Sequence, residues 1–410
     1  MSGATQGLDV APAVDPGRYA MGGRPPRAAL RPASAQQAAE ALRVAARDRL
    51  AVVPWGGGVG LAHDDGAPRY DLALDLTGLD AIVEYDPEDL TLTAQCGVTV
   101  AALRDPVAAR GQELPLEAGR AARATLGGTL AANASGARRL RFGAPRDRIL
   151  GARFALGDGT AARSGGKVVK NVAGYGLHRL LCGSRGGLGV ILEASLKLMP
   201  APEVRRALVF GADAAALRDP ARWSRLPRLE PAALTVLGAA AATVAGLEVG
   251  APFAIVAGLE DERVWVERQE AAVRTALGEP RARLEEAAVA TLWQALADLE
   301  DRGGATLTLT TAANTPAALA ALIDQPEAAG LVFHAPAGRL LLGAPPERAP
   351  ALVRDLAAAG FTLIEARGAG AAVAGFPPPA GIRALRERIR AALDPGATMA
   401  LGERWVAAIA

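Results

Sequence analysis

Residues 165–200, GGKVVKNVAGYGLHRLLCGSRGGLGVILEASLKLMP, constrain this chain more than any other stretch. They read as a loop, a short helix, a glycine turn and a strand. In the strand Leu188, Val190, Leu192, Ala194, Leu196 and Leu198 fall on one side, and Gly189, Ile191, Glu193, Ser195 and Lys197 on the other, the period of two that marks a pleated strand. Just ahead, Gly183–Gly189 holds four glycines in seven positions. Such a segment is either an ordinary turn before a core strand or main chain kept bare so that a flat or polyanionic ligand can lie against it. Two further glycine-rich segments upstream favour the ligand.

The first follows a helix and a strand. Ser34 with Gln37 resembles a capping box opening a helix to about Arg49, and Ala51–Pro54 is a short strand that runs into Trp55-Gly56-Gly57-Gly58-Val59-Gly60. Consecutive glycine amides can form an anion nest. The second is Leu114–Gly119 followed by Ala124–Gly136, in which Thr125 is a good N-cap for a short helix of small residues. A helix that small lets something pack closely, or aims its N-terminus at an anion. Strands are also expected at 71–76, 82–85, 90–96 and 149–156. Thr99 caps a helix that Pro106 should break or kink.

The usual phosphate loops fail on counting. A dinucleotide fingerprint from Gly58 needs glycine at His63, and one from Gly56 needs it at Leu61; a P-loop ending at Lys167 needs glycine at Ala161 and Ser or Thr at Val168. G-x-S-x-G and H-E-x-x-H are absent. With two cysteines, Cys96 and Cys182, the chain cannot build its own iron–sulfur cluster or four-cysteine zinc site, and a reducing compartment fits. Cys96, alternating with Leu92 and Ala94, reads as a buried structural thiol. A net charge of +2 over 410 residues gives no drive toward nucleic acid, and no apolar run reaches membrane-spanning length.

Together these segments resemble the FAD-binding domain of the vanillyl-alcohol-oxidase and p-cresol-methylhydroxylase superfamily, and within it the small flavin subunits of bacterial glycolate oxidases. P-x-G-G-G matches Pro54–Gly58. L-P-x-E matches Leu114–Glu117, and A-T-L-G-G-x-x-A-x-x-x-S-G matches Ala124–Gly136. K-x-x-K-N-V-A-G-Y matches Lys167–Tyr175, and G-S-x-G-x-L-G-V-I matches Gly183–Ile191. The resemblance implies an α+β chain, with a flavin domain of two α/β subdomains over 26–202 and an α+β cap over 203–410 ending in a C-terminal helix and tail; residues 1–25, which carry Gly, Pro and few large apolar groups, read as a loose arm. In the cap, strands are expected at 204–210, 254–259, 306–311, 331–334, 340–342 and 361–365, with helices on one side of the sheet. The implied FAD contacts are Pro54, Trp55, Gly56, Gly57, Gly58, Val59, Gly60 and Leu61 at the pyrophosphate; Glu117; Thr125, Leu126, Gly127 and Gly128 along the phosphates and ribityl chain; and Ala132, Asn133, Ala134, Ser135, Gly136, Gly187, Leu188, Gly189 and Val190 at the flavin and adenosine portions.

Several positions depart from the family pattern. Covalent members carry histidine after the glycine triplet, where this chain has Val59, so the flavin is expected to be non-covalent. Gly176 replaces an aspartate, Gly187 a threonine, and the usual C-terminal D-P-x-G-x-x-N-P-G-R survives as Asp394-Pro395-Gly396 and a diverged Thr398–Arg404. The histidine-rich metal motif of larger catalytic relatives is missing. His63, His178 and His334 are far apart, no catalytic base is identified, and no metal is expected. Arg138, Arg139 and Arg141 read as an anion site or a solvated basic turn, and Lys167 and Lys170 as cofactor or packing residues. By resemblance, the chain oxidises glycolate or a similar 2-hydroxy acid beside a larger flavin subunit and an iron–sulfur subunit. The alternatives are a non-catalytic FAD-bearing relay or a stand-alone alcohol or sugar dehydrogenase. A cytoplasmic location is expected, with membrane attachment only through partners.

Overall fold

The computed structural model describes residues 9–61, 67, 69–167, 174–299, 306–312, 316–335, 337–367 and 380–407. They form two compact units. One takes Met1–Ala134, Ala144–Ala201 and Pro378–Ala408; the other takes Ser135–Gly143, Pro202–Pro377 and Ile409–Ala410. This differs from a continuous 203–410 cap: the C-terminal helix Ala380–Leu393 and tail belong with the first unit, while Ser135–Gly143 belongs with the second.

The first unit holds β1 (Ala28–Leu30), β2 (Val52–Trp55) and β3 (Leu72–Asp75) in a parallel sheet of order β1-β3-β2. A second, antiparallel sheet contains β4 (Ile82–Asp86), β5 (Thr91–Gln95), β7 (Ile149–Ala155), β8 (Ala161–Gly165) and β9 (Val190–Lys197) in the order β4-β5-β9-β7-β8. β6 (Gln112–Glu113) pairs with β10 (Met199–Pro200). The Ala35–Arg47 helix starts where the sequence places it, with Ser34 Oγ accepting from Gln37 N at 3.2 Å and Gln37 Oε1 accepting from Ala33 N at 2.8 Å. Its apolar face, Ala38, Ala41, Leu42 and Ala45, packs with Leu72 and Leu74. Helix Val100–Ala108 runs on through Pro106 instead of breaking there.

β9 keeps its period of two but not a single face. A register shift opposite Arg153 and Phe154 divides it, so Val190 and Leu192 enter the cluster of the Ala35–Arg47 helix while Ile191, Ala194 and Leu196 enter the core of the five-stranded sheet. A bulge re-aims side chains in this way, and here it lets one strand serve two cores.

Residues 9–25 are packed, not loose. Val14 N donates to Ala29 O at 3.0 Å and Arg31 N to Pro12 O at 2.8 Å, and Tyr19 and Met21 are buried. The opposite end of the chain lies beside β2: Val52 N donates to Thr398 O and Ala400 N to Val52 O. The turn into that segment is held by Asp394, whose carboxylate accepts from the N–H groups of Thr398 and Met399 at 2.9 and 3.0 Å.

The second unit is built on one antiparallel sheet of eight strands: β11 (Val204–Ala212), β12 (Ala233–Gly238), β13 (Phe253–Asp261), β14 (Ala282–Glu285), β15 (Thr306–Thr311), β16 (Val332–His334), β17 (Arg339–Gly343) and β18 (Phe361–Arg367), in the order β14-β11-β13-β12-β16-β17-β15-β18. Helices cover both faces, not one. Arg263–Leu277 and Ala349–Ala358 pack with Leu208, Val236 and Ile255, while Ala239–Val244 and Glu286–Leu299 pack with Val209, Leu237 and Val256. All six residues of β12 are buried, as a strand covered on both sides requires.

Candidate cofactor site

Within the first unit three glycine segments from distant parts of the sequence converge. A Cβ at Gly56 would overlap the Thr125 hydroxyl, and one at Gly57 would overlap the Arg123 carbonyl oxygen. The segment before the Leu126–Ala132 helix therefore sits directly on the glycine triplet, and Arg123 Nη2 donates to Gly57 O at 3.1 Å. The third segment closes over the other end of that helix. Gly183 N and Arg185 N donate to the carbonyls of Leu130 and Ala131 at 3.2 and 2.9 Å, and a Cβ at Gly186 would lie 2.9 Å from the Pro54 ring.

Much of the bare glycine surface is thus taken up by the protein itself. Gly127 faces Cys96 with 2.8 Å to its Cβ, Gly187 faces the Leu401 carbonyl at 2.9 Å, and Gly189 faces the Ala155 carbonyl at 2.7 Å. The first N–H groups of the Leu126–Ala132 helix are also used: Leu126 N donates to Val98 O, Gly127 N to Cys96 O and Gly128 N to Thr125 Oγ1. This helix serves close packing and does not aim free amides at an anion.

The free amides lie elsewhere. Among the described residues no partner takes the N–H groups of Gly57, Gly58, Val59 or Gly60, all half-buried. Gly58 has φ +72°, the left-handed turn that a nest of successive N–H groups needs. The Gly60 Cα is open on its Cβ side, with nothing within 4 Å, and Arg123 brings a guanidinium to the same loop. A loop of unpartnered amides beside an arginine, open on one side, fits a pyrophosphate-bearing cofactor such as FAD.

Other expected site residues take different positions. The side chains of Leu188 and Val190 are core groups, leaving only main chain for a ligand. Asn133 ends the small helix at φ +49° and its Oδ1 accepts from Arg146 N at 3.0 Å. Glu117 is buried in the same unit, next to Leu116, whose carbonyl accepts from Arg104. Ser135 and Gly136 fall in the second unit, where Ser135 Oγ accepts from Arg139 Nη1 at 2.8 Å and its carbonyl from Arg339.

The arginines of this second-unit segment are anchored. Arg138 Nη1 donates to Glu260 Oε2 at 3.0 Å, both groups buried, and Arg141 Nη2 to Asp261 Oδ2 at 2.8 Å. Sequence reasoning missed these pairs because the partners lie about 120 residues away. Lys167 is paired with Glu84. Lys170, His63 and the 168–173 part of the lysine motif lie outside the described residues.

His334 is buried in the cap sheet, its Nδ1 2.9 Å from Thr235 Oγ1. His178 is buried in the first unit, its Nδ1 2.9 Å from Ser164 Oγ, and burial, with Arg179 nearby, pushes its pKa below the ordinary value. The unfolded chain then takes up this proton first, so stability present at neutral pH is lost as the pH falls below about 6.5. Thermal melting should show Tm dropping between pH 7 and pH 5, with a flatter slope in His178→Gln; an unchanged slope in that variant would assign the pH dependence to other groups. Cys96 is a buried free thiol, as expected of a structural cysteine, and so is Cys182.

Residues 26–165 match the family described as FAD binding domain. The chain is 35% identical over 184 residues to glycolate oxidase subunit GlcD of Bacillus subtilis (strain 168), covering 45% of this chain and 39% of that protein. It is 41% identical over 144 residues to glycolate oxidase subunit GlcE of Escherichia coli (strain K12), covering 35% of this chain and 41% of that one. The matched stretch therefore spans about two fifths of these relatives, as the 39% and 41% coverages state. The crystal structure of p-cresol methylhydroxylase with substrate bound superposes with a TM-score of 0.71 at 18% identity, covering 97% of this chain and 92% of that one. No described helix is long and apolar enough to cross a membrane. Residues 26–165 are thus an FAD binding domain, and the chain shares the fold of p-cresol methylhydroxylase.

Proposed function

We propose that this chain is the FAD-binding subunit of a glycolate oxidase-like complex acting on glycolate or a similar small 2-hydroxy acid. The observation that carries the reading is the half-buried Gly57–Gly60 loop with unpartnered amides, inside a domain whose relatives are named as glycolate oxidase subunits. FAD, when bound, supplies a two-electron acceptor for the hydride of the alcohol carbon. The chain's part is to hold it. The Gly57–Gly60 amides and Arg123 neutralise the pyrophosphate. Val59, packed toward the sheet core, offers no nucleophile, which supports non-covalent attachment.

A second reading is an electron-relay subunit whose chemistry resides in a larger flavin partner, with an iron–sulfur subunit onward. It is favoured by the packing of His178 and His334 against Ser164 and Thr235, which leaves both buried where a base should be open to substrate. The experiment is to load the purified chain with FAD and add glycolate without oxygen. Bleaching of the visible flavin bands supports catalysis by this chain. Bands that persist until partner subunits are added support the relay. Bands that persist even with partners contradict both.

A further inference from the structure

The residue that carries the glycine triplet, Trp55, is itself held by an ordered chain of hydrogen bonds. Its indole Nε1 donates to Tyr70 Oη at 2.6 Å. An indole N–H can only donate, so the phenol must accept there and give its own proton onward. It does so to the Tyr19 carbonyl at 2.8 Å. The Tyr19 hydroxyl donates to Asp75 Oδ2 at 2.7 Å, which also accepts from Arg31 Nε at 2.7 Å, and Asp75 Oδ1 accepts from Thr77 N and Oγ1. The Tyr19 ring stands edge-on to the Trp55 ring, centroids 5.4 Å apart. Every group in this chain except the Arg31 and Thr77 ends is buried. The two phenols stay protonated: burial pushes Tyr19 up to about 12 and raises Tyr70 further still.

The Trp55 ring meets the glycine loop directly. A Cβ at Gly58 would lie 3.1 Å from Trp55 Cζ3, so the left-handed turn rests on the indole edge. Whatever fixes the indole fixes where the Gly57–Gly60 amides point.

We infer that Tyr70 and Tyr19 are positioning residues for FAD, and that the N-terminal segment carrying Tyr19 is part of the cofactor site. The inference rests on the FAD reading above. Neither tyrosine touches the cofactor. Each acts through Trp55, preorganising amides that would otherwise lose freedom on binding. By linkage, a segment that tightens FAD must in turn be tightened by it.

The test compares FAD dissociation constants, read by flavin fluorescence, for the full chain and for Tyr70→Phe, Trp55→Phe and the double variant, with melting of each FAD-free form measured alongside. Loss of one buried hydrogen bond predicts about a three- to tenfold weaker Kd for each single variant. The double variant should be no weaker than the worse single, because both remove the same bond. Trypsin cleavage after exposed Arg18 should slow when FAD is added. Equal FAD affinity in the full chain and Tyr70→Phe, with cleavage unaffected by FAD, overturns the inference and leaves the FAD reading standing. A melting loss with no change in Kd also overturns it, since that is what a merely structural bond gives. A full chain that does not bind FAD overturns both.

Discussion

Replacing Gly57 with alanine is expected to abolish FAD binding and to destabilise the first unit by about 3 kcal/mol or more, the upper end for forcing a methyl into packed surroundings. The added methyl would overlap a backbone carbonyl, that of Arg123, and not the tip of a side chain that could swing aside. The Arg123–Thr125 segment caps the Leu126–Ala132 helix, so moving it also disturbs the bonds from Leu126 N to Val98 O and from Gly127 N to Cys96 O. Gly60→Ala is the matched control. Nothing lies within 4 Å of its Cβ position, so its melting temperature should be unchanged while FAD affinity falls, because the methyl enters the open side of the loop. Melting curves and FAD titrations on the two variants separate packing from binding. A Gly57→Ala protein that melts and binds as the parent does would show that the contact is not what it is described to be.

The second large effect belongs to the other unit. Glu260 sits fully buried at the end of β13, with Oε2 3.0 Å from Arg138 and Oε1 2.6 Å from the Trp293 indole nitrogen. Glu260→Ala should cost about 3–5 kcal/mol, the range for breaking a buried pair, because it strips the carboxylate from a guanidinium that stays out of water. Removing both charges in Arg138→Ala with Glu260→Ala should cost less than the sum of the two single changes. Chemical denaturation of the three variants measures this directly. Additive losses would mean that the two groups do not depend on each other.

The same residues explain what the sequence could and could not tell. Glycine spacing located the three loops, and alternation located most strands, because both signals are local. What each glycine faces is not local. Gly56 meets Thr125 and Gly186 meets Pro54 across long sequence separations, so surface that reads as bare for a ligand is partly surface bare for the protein. β12 escaped notice because Ala233–Gly238 opens an alanine-rich run and is buried on both faces, leaving no alternation to read. β14 escaped because its alternation is polar and half-exposed at the sheet edge. Arg138, Arg139 and Arg141 read equally well as a solvated turn until their acidic and hydroxyl partners are in view. The arm was read as loose from its glycines and prolines, yet Tyr19 and Met21 are enough to pin it.

The central claim is that the amides of Gly57–Gly60 hold the pyrophosphate of one FAD without a covalent bond. Titrating the flavin-free chain with FAD tests it most directly. The expected result is saturable one-to-one quenching of flavin fluorescence, a rise in Tm, and full release of unmodified FAD on acid denaturation. Flavin fluorescence that stays that of free FAD at every protein concentration, with no change in Tm, would contradict it.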